Sequence, residues 1–99
     1  MELVKNYNDK ELTVEVKDRV DTVTSQDLDR EIHEEFGNFD SLILDFSQLE
    51  YISSAGLRVL ILFKKELKEE DIDFVIVNVN DTIKEIFKMS GIDKLLTIQ

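Results

Sequence analysis

Three features of this 99-residue sequence predict an α/β domain built on a mixed β-sheet. Leu12, Val14 and Val16 alternate with Thr13, Glu15 and Lys17, the period of a strand with one wet face. Leu28, Ile32 and Phe36 recur every four residues, the period of one helix face. The runs Leu42–Phe46 and Phe74–Val79 are nearly continuous and β-prone, and the unit they bound has the length of a right-handed βαβ crossover between parallel strands.

In chain order, Leu3 to Tyr7 pairs as a hairpin with the alternating strand, with Asn8 and Asp9 as turn residues that tolerate the required backbone. Thr24 and Asp27 have capping-box spacing at the head of the first helix, and Gly37 with Asn38 stops it. The run at 42–46 lacks alternation, as in a strand covered on both faces or central in a sheet. A second helix spans roughly Ser54 to Glu69, with Leu57, Leu60, Phe63 and Leu67 as its buried stripe; Ile61 lies at the stripe's edge and Leu62 falls outside it, near Arg58. After the strand at 74–79, a third helix opens near Asp81 or Thr82 and closes at Gly91, with Ile83, Ile86 and Phe87 on one side. Leu95, Leu96 and Ile98 then pack down the C-terminus. The expected core is Val14, Val16, Leu28, Ile32, Leu42, Leu44, Leu57, Leu60, Val75, Val77, Ile86 and Phe87. No repeat, linker or low-complexity stretch divides the chain, so residues 1–99 are expected to form one domain.

Composition narrows the function. The chain has 22 acidic and 12 basic residues, a net charge of -10, which repels phosphate backbones and anionic lipid and favours a basic surface on a protein partner. Association with such a partner is expected to weaken with salt. Cysteine is absent, so disulfides, thiolate catalysis and cysteine-ligated zinc are excluded. The longest uninterrupted apolar run, Val59 to Phe63, is far below the ~20 residues of a membrane span, and no secretory segment opens the chain. A cytoplasmic protein without membrane insertion is expected.

Catalytic patterns are missing. The single histidine, His33, falls on the polar side of its helix and is expected in solvent, where it cannot serve Ser54 as the base of a hydrolase. The glycines at 37, 56 and 91 build no phosphate loop, and no metal-ligand spacing occurs. No cofactor, metal or small-molecule substrate is implied. Asp45 stands out, because a carboxylate inside an apolar strand must be hydrogen-bonded or emerge at the edge of the sheet, either to cap the next turn or to act. The segment Tyr51 to Leu60 passes from a loop into a helix, where Ser53 or Ser54 serves as N-cap. A helix N-terminus at the C-terminal end of a sheet is also a place where a phosphoryl group is electrostatically welcome. Ile61, at the edge of the stripe, and Leu62, outside it, are left for a wide buried arc or a partner.

Together these elements resemble the STAS domains, and within them the anti-sigma factor antagonists of bacterial partner-switching systems. The resemblance rests on Val20-Asp21 followed by Thr24 and Leu28, on the strand Leu42–Phe46 with Asp45, on Ser53-Ser54-Ala55-Gly56-Leu57 opening a helix, and on Ile86-Phe87-Lys88-Met89-Ser90-Gly91 followed by Ile92, Asp93 and Lys94. It implies a mixed sheet of four to five strands with the helices packed mainly on one face. It also implies a partner, an anti-sigma factor that is often a serine kinase, whose capture frees a sigma factor for transcription. The kinase then ends the interaction by phosphorylating the antagonist, and a serine phosphatase reverses it. By register the phosphorylated serine maps onto Ser54, with Asp21 as a pocket neighbour. Partner binding is expected at Asp21, Ser53, Ser54, Ala55, Gly56, Leu57, Arg58, Ile61 and Leu62. Ser53 stands where the family usually has aspartate, which makes it a rival phosphosite, and Ala55 where it often has serine or threonine. Because STAS domains also serve as accessory subunits of transporters, constitutive docking on a transporter is the alternative; the chain's length favours a free-standing regulator.

Overall fold

The computed structural model describes all residues, Met1–Gln99. Strands β1 (Glu2–Asn8) and β2 (Glu11–Val20) form the expected antiparallel hairpin, and Asp9 takes the left-handed turn position at φ 58°. Helix α1 (Thr24–His33), strands β3 (Ser41–Asp45) and β4 (Leu49–Ile52), helix α2 (Ser54–Glu69), strand β5 (Asp73–Val77), helix α3 (Asp81–Ser90) and a short strand β6 (Thr97–Ile98) follow. The sheet has six strands in the order β1-β2-β3-β5-β6, with β4 paired to the far end of β2. It is mixed as expected: β1–β2 is antiparallel, while the β2–β3, β2–β4, β3–β5 and β5–β6 pairs are parallel. The four to five strands expected were too few, because β4 and β6 have only four and two residues.

Besides its antiparallel partner β1, the ten-residue strand β2 serves two parallel partners because it changes register between Asp18 and Arg19. Asp18 sits at φ 70° and its amide bonds the carbonyl of Gln48 at 3.0 Å, so the strand leaves β3 after Glu15 and runs on beside β4. Such a bulge bends and twists a strand. Here it carries the C-terminal ends of β2 and β4 away from the central strands.

Burial alternates in β2 from Glu11 to Lys17 and throughout β3 and β5, so the core occupies one face of the sheet, between the strands and the helices. Of the two readings of the unbroken apolar runs, the central position in a sheet holds, and cover on both faces does not. The same alternation corrects the core. In β5, Phe74 and Ile76 are buried while Val75 and Val77 are half-buried on the opposite face, because pairing sets Phe74 beside Leu42 and Ile76 beside Leu44. Leu57 and Ile86 are also only half-buried: on α2 the buried positions are Gly56, Leu60, Phe63 and Leu67, and on α3 they are Ile83 and Phe87. At the C-terminus Leu96 is buried, but Leu95 is 58% exposed.

Helix α1 is capped differently from expectation. Thr24 and Asp27 form no capping box; Asp21 Oδ1 instead accepts the amides of Val23 (3.0 Å) and Thr24 (2.9 Å), while Thr24 Oγ1 accepts the Asp21 amide at 2.8 Å. The aspartate thus satisfies orphan donors from two residues ahead of the helix's own N-cap position, Val23. Helix α3 is capped by Asn80, whose Oδ1 accepts the Ile83 amide at 2.9 Å, and ends at Gly91 in the left-handed conformation at φ 79°.

His33 does not stand free in solvent as expected. Its Nδ1 lies 2.8 Å from the Asp29 carbonyl oxygen and 2.9 Å from Asp29 Oδ1, and its Nε2 lies 2.8 Å from Glu66 Oε2 on α2. The ring also packs on Phe36 and Phe63, with centroids 4.5 and 5.5 Å away. Both ring nitrogens therefore face oxygen acceptors, which suits the doubly protonated form. Burial pushes the histidine's pKa down, but the bonds to Glu66 and Asp29 and the charges of both carboxylates outweigh it and leave the pKa raised.

Candidate functional site at the head of helix α2

The parallel pairing of Val20 with Ile52, reinforced by the Ser53 amide bonding the Val20 carbonyl at 2.8 Å, brings two chain segments side by side as they leave the sheet. One is Asp21 at the entrance to α1; the other is Ser53-Ser54 at the entrance to α2. Ser53 is extended (φ -83°, ψ 172°) and its Oγ accepts the Gly56 amide at 3.2 Å, so it is the N-cap. Ser54 is the first helical residue, outside that cap, and is exposed. Of the two serines the sequence offers, one is engaged in holding the helix and the other presents its hydroxyl beside the positive end of the helix dipole.

Gly56 faces inward. A Cβ built there would lie 2.6 Å from Ile52 Cγ1 and 2.8 Å from Val20 Cγ1, so the buried glycine lets α2 approach the β2–β4 edge and positions Ser54. Leu57 is half-buried, Ala55 is half-buried, and Arg58 is exposed. Further along, Ile61 and Leu62 are 39% and 43% exposed, so the buried arc of α2 does not reach them.

Asp21 is held below the usual carboxylate range, first by the backbone amide and hydroxyl of Thr24, then by the Val23 amide and the Arg19 guanidinium. It is an anion at neutral pH, committed to capping α1. Asp45, at the end of β3, accepts the Ser47 amide at 2.9 Å and caps the turn toward β4, which answers the choice left open for it. Arg19 lies over the ring of Tyr51 at 5.1 Å from the centroid. His33 meets α2 at Glu66, twelve residues and about 18 Å of helix beyond Ser54, so no serine–histidine pair forms.

Beside Ser54 lies an open groove of about 350 Å³ between the heads of α2 and the end of α3, lined by Tyr51, Ile52, Ser54, Leu57, Ile86, Met89 and Ser90. Five of these seven are apolar, and Met89 is 80% exposed. The expected partner surface did not include the α3 side. Helix phase carries that signal: Ile83 and Phe87 point inward, which turns Met89 two positions on toward solvent. No group of histidine and acidic side chains is arranged to hold a metal, and no helix is long and apolar enough to cross a membrane.

The model of the STAS domain family matches residues 2–99. A Bordetella bronchiseptica protein named as an anti-sigma factor antagonist, BtrV, is 40% identical over 50 residues, a stretch that spans 50% of this chain and 43% of that protein's length. Among solved structures, a Thermotoga maritima protein named as an anti-sigma factor antagonist superposes with a TM-score of 0.88 at 17% identity, covering 97% of this chain and 84% of that one. The Bacillus cell fate determinant SpoIIAA in its phosphorylated form superposes with a TM-score of 0.76 at 15% identity, covering 99% of this chain and 91% of that one. At such identities the two superpositions establish the fold.

Proposed function

We propose that this chain, which belongs to the STAS domain family, is an anti-sigma factor antagonist whose unphosphorylated form binds an anti-sigma factor with serine-kinase activity, and whose binding ends when Ser54 is phosphorylated. The observation that carries the proposal is the division of labour at the head of α2: Ser53 is spent on the cap, while Ser54 is exposed on the rim of an apolar groove. The names of the BtrV relative and of the Thermotoga structure point to the same class of partner, and SpoIIAA has been solved in a phosphorylated form.

The physical consequences of modification differ between the free and bound states. A phosphoryl group adds about -1.5 to -2 charges and three acceptor oxygens. In the free domain the helix N-terminus stabilises it by about 0.3 to 1 kcal/mol, so the fold tolerates it. Against a partner seated on Tyr51, Leu57 and Met89, the same dianion loses its water with no cation supplied by the partner, at a cost of roughly several kcal/mol that Arg58, one turn along α2, offsets only in part, and the Asp21 carboxylate adds repulsion. A serine phosphatase restores the binding form. Ser54, Asp21, Arg58, Ile61 and Leu62 form the contact surface together with the groove.

The test is incubation with an ATP-binding anti-sigma factor kinase from the same cell. The expected results are a mass gain of one phosphoryl group on Ser54, tight binding and no switching-off for Ser54→Ala, weak binding by a folded Ser54→Asp, and normal phosphorylation of Ser53→Ala. A phosphate mapped to Ser53, or a Ser54→Asp variant that binds as tightly as the unmodified chain, refutes the switch.

A further inference from the structure

All the packing described so far lies on one face of the sheet. The other face carries no helix, as the half-buried or exposed class of every alternate residue in β2, β3 and β5 shows. Its side chains fall into rows set by strand register. The central row runs Asn6, Thr13, Ile43, Val75 and Thr97 across five strands and contains no charge. At the sheet spacing it is about 19 Å long, the length of about 13 helical residues. The row on one side places Glu11, Ser41 and Asp73 next to each other, and the row on the other side places Glu15 next to Asp45.

We propose that this face is a second docking surface, on the opposite side of the sheet from the α2 site, and that its occupant is a basic amphipathic helix of a protein partner. The central row would receive the helix's apolar stripe, and the two flanking rows would receive the lysines and arginines on either side of it. Charge decides the occupant. These three rows contain no cation; Lys17 lies one row further out, paired with Glu2, and reaches only Glu15, at 4.0 Å. Glu15 and Asp45 stand directly opposite across β2 and β3, a like-charge pairing that weakens a sheet until a cation sits between them. A second copy of the chain would bring the same carboxylates face to face, and phosphate backbones or anionic lipid would be repelled. Ile43, Val75 and Val77 are β-branched apolar side chains that the core does not use, so their remaining exposed surface is what the helix would remove from water.

The proposal is tested on the whole chain with a fluorescent lysine–leucine amphipathic helical peptide of about 18 residues. Amide NMR shifts on titration are expected at Thr13, Ile43 and Val75 and not on the α2 site, and Ser54→Asp should bind the peptide unchanged, which separates this surface from the phosphorylation switch. Val75→Lys should weaken binding by about tenfold or more, the scale of an uncompensated charge in an interface centre. Glu15→Gln, which perturbs no core position, should weaken it about two- to fivefold if Val75→Lys fails to fold. Glu69→Gln, with the same charge change as Val75→Lys at the end of α2, should lose less than about twofold. Equal losses for Val75→Lys and Glu69→Gln, shifts mapped to the helix face, self-association through this face, or binding of the face to anionic vesicles would each overturn it.

Discussion

Replacing Gly56 by alanine tests the close approach that positions Ser54. In an unconstrained helix, glycine to alanine raises stability by up to about 1 kcal/mol. Here the new methyl would lie 2.6 Å from Ile52 Cγ1, 2.8 Å from Val20 Cγ1 and 3.1 Å from Ile52 Cδ1. Reaching an ordinary carbon–carbon contact requires movements of about 0.7 to 0.9 Å. Val20 and Ile52 are 0% and 1% exposed, so neither has free space to move into and α2 must lift instead. Overpacking of this kind costs about 1 to 3 kcal/mol. The balance is a net loss of about 1 kcal/mol, which for a domain of this size lowers Tm by about 4 to 8 °C. Lifting the helix also stretches the 3.2 Å bond from the Gly56 amide to Ser53 Oγ, so the loss should appear as faster amide exchange at the head of α2 as well. Thermal unfolding and urea titration of Gly56→Ala measure the sign directly. A Tm equal to or above that of the parent chain would show that α2 does not press on the β2–β4 edge as described.

Leu60, fully buried beneath the middle of α2, should cost about 2 to 5 kcal/mol on truncation to alanine, measured by urea unfolding; a loss below about half a kcal/mol would place it on the surface. His33 should make stability depend on pH, because its pKa in the folded chain is raised above the ordinary 6.5. A raised pKa adds stability that is fully present below the unfolded value and lost as pH rises through the folded one, so the advantage of the parent chain over His33→Gln should be largest near pH 5.5 and shrink toward about pH 8.5. Parallel unfolding curves across that range check it, and a constant gap refutes it. Ile61→Ser and Leu62→Ser should leave stability within about half a kcal/mol while weakening capture of the anti-sigma factor, measured by calorimetry.

Much of the fold could be read locally. The hairpin, α1, α2, α3 and the parallel β3–β5 crossover follow from periodicity and from turn residues, which act over a few positions. The serine pair at the entrance to α2 was likewise visible, because N-capping is a local hydrogen-bonding requirement. Where local signals are degenerate, only pairing decided. Phe74, Val75, Ile76 and Val77 are all apolar, so the run carries no phase; contact of β5 with Leu42 and Leu44 chose Phe74 and Ile76 for the core and turned Val75 and Val77 outward. Strands β4 and β6 are too short to show a period, and they exist because the Asp18 bulge and the edge of β5 offer unpaired backbone to complete. Which serine caps α2 depended on the Ser53 amide finding the Val20 carbonyl, and which carboxylates hold His33 depended on how α1 lies against α2. Hydrogen bonds between segments distant in sequence are set by docking angle and register, quantities that no window of neighbouring residues contains.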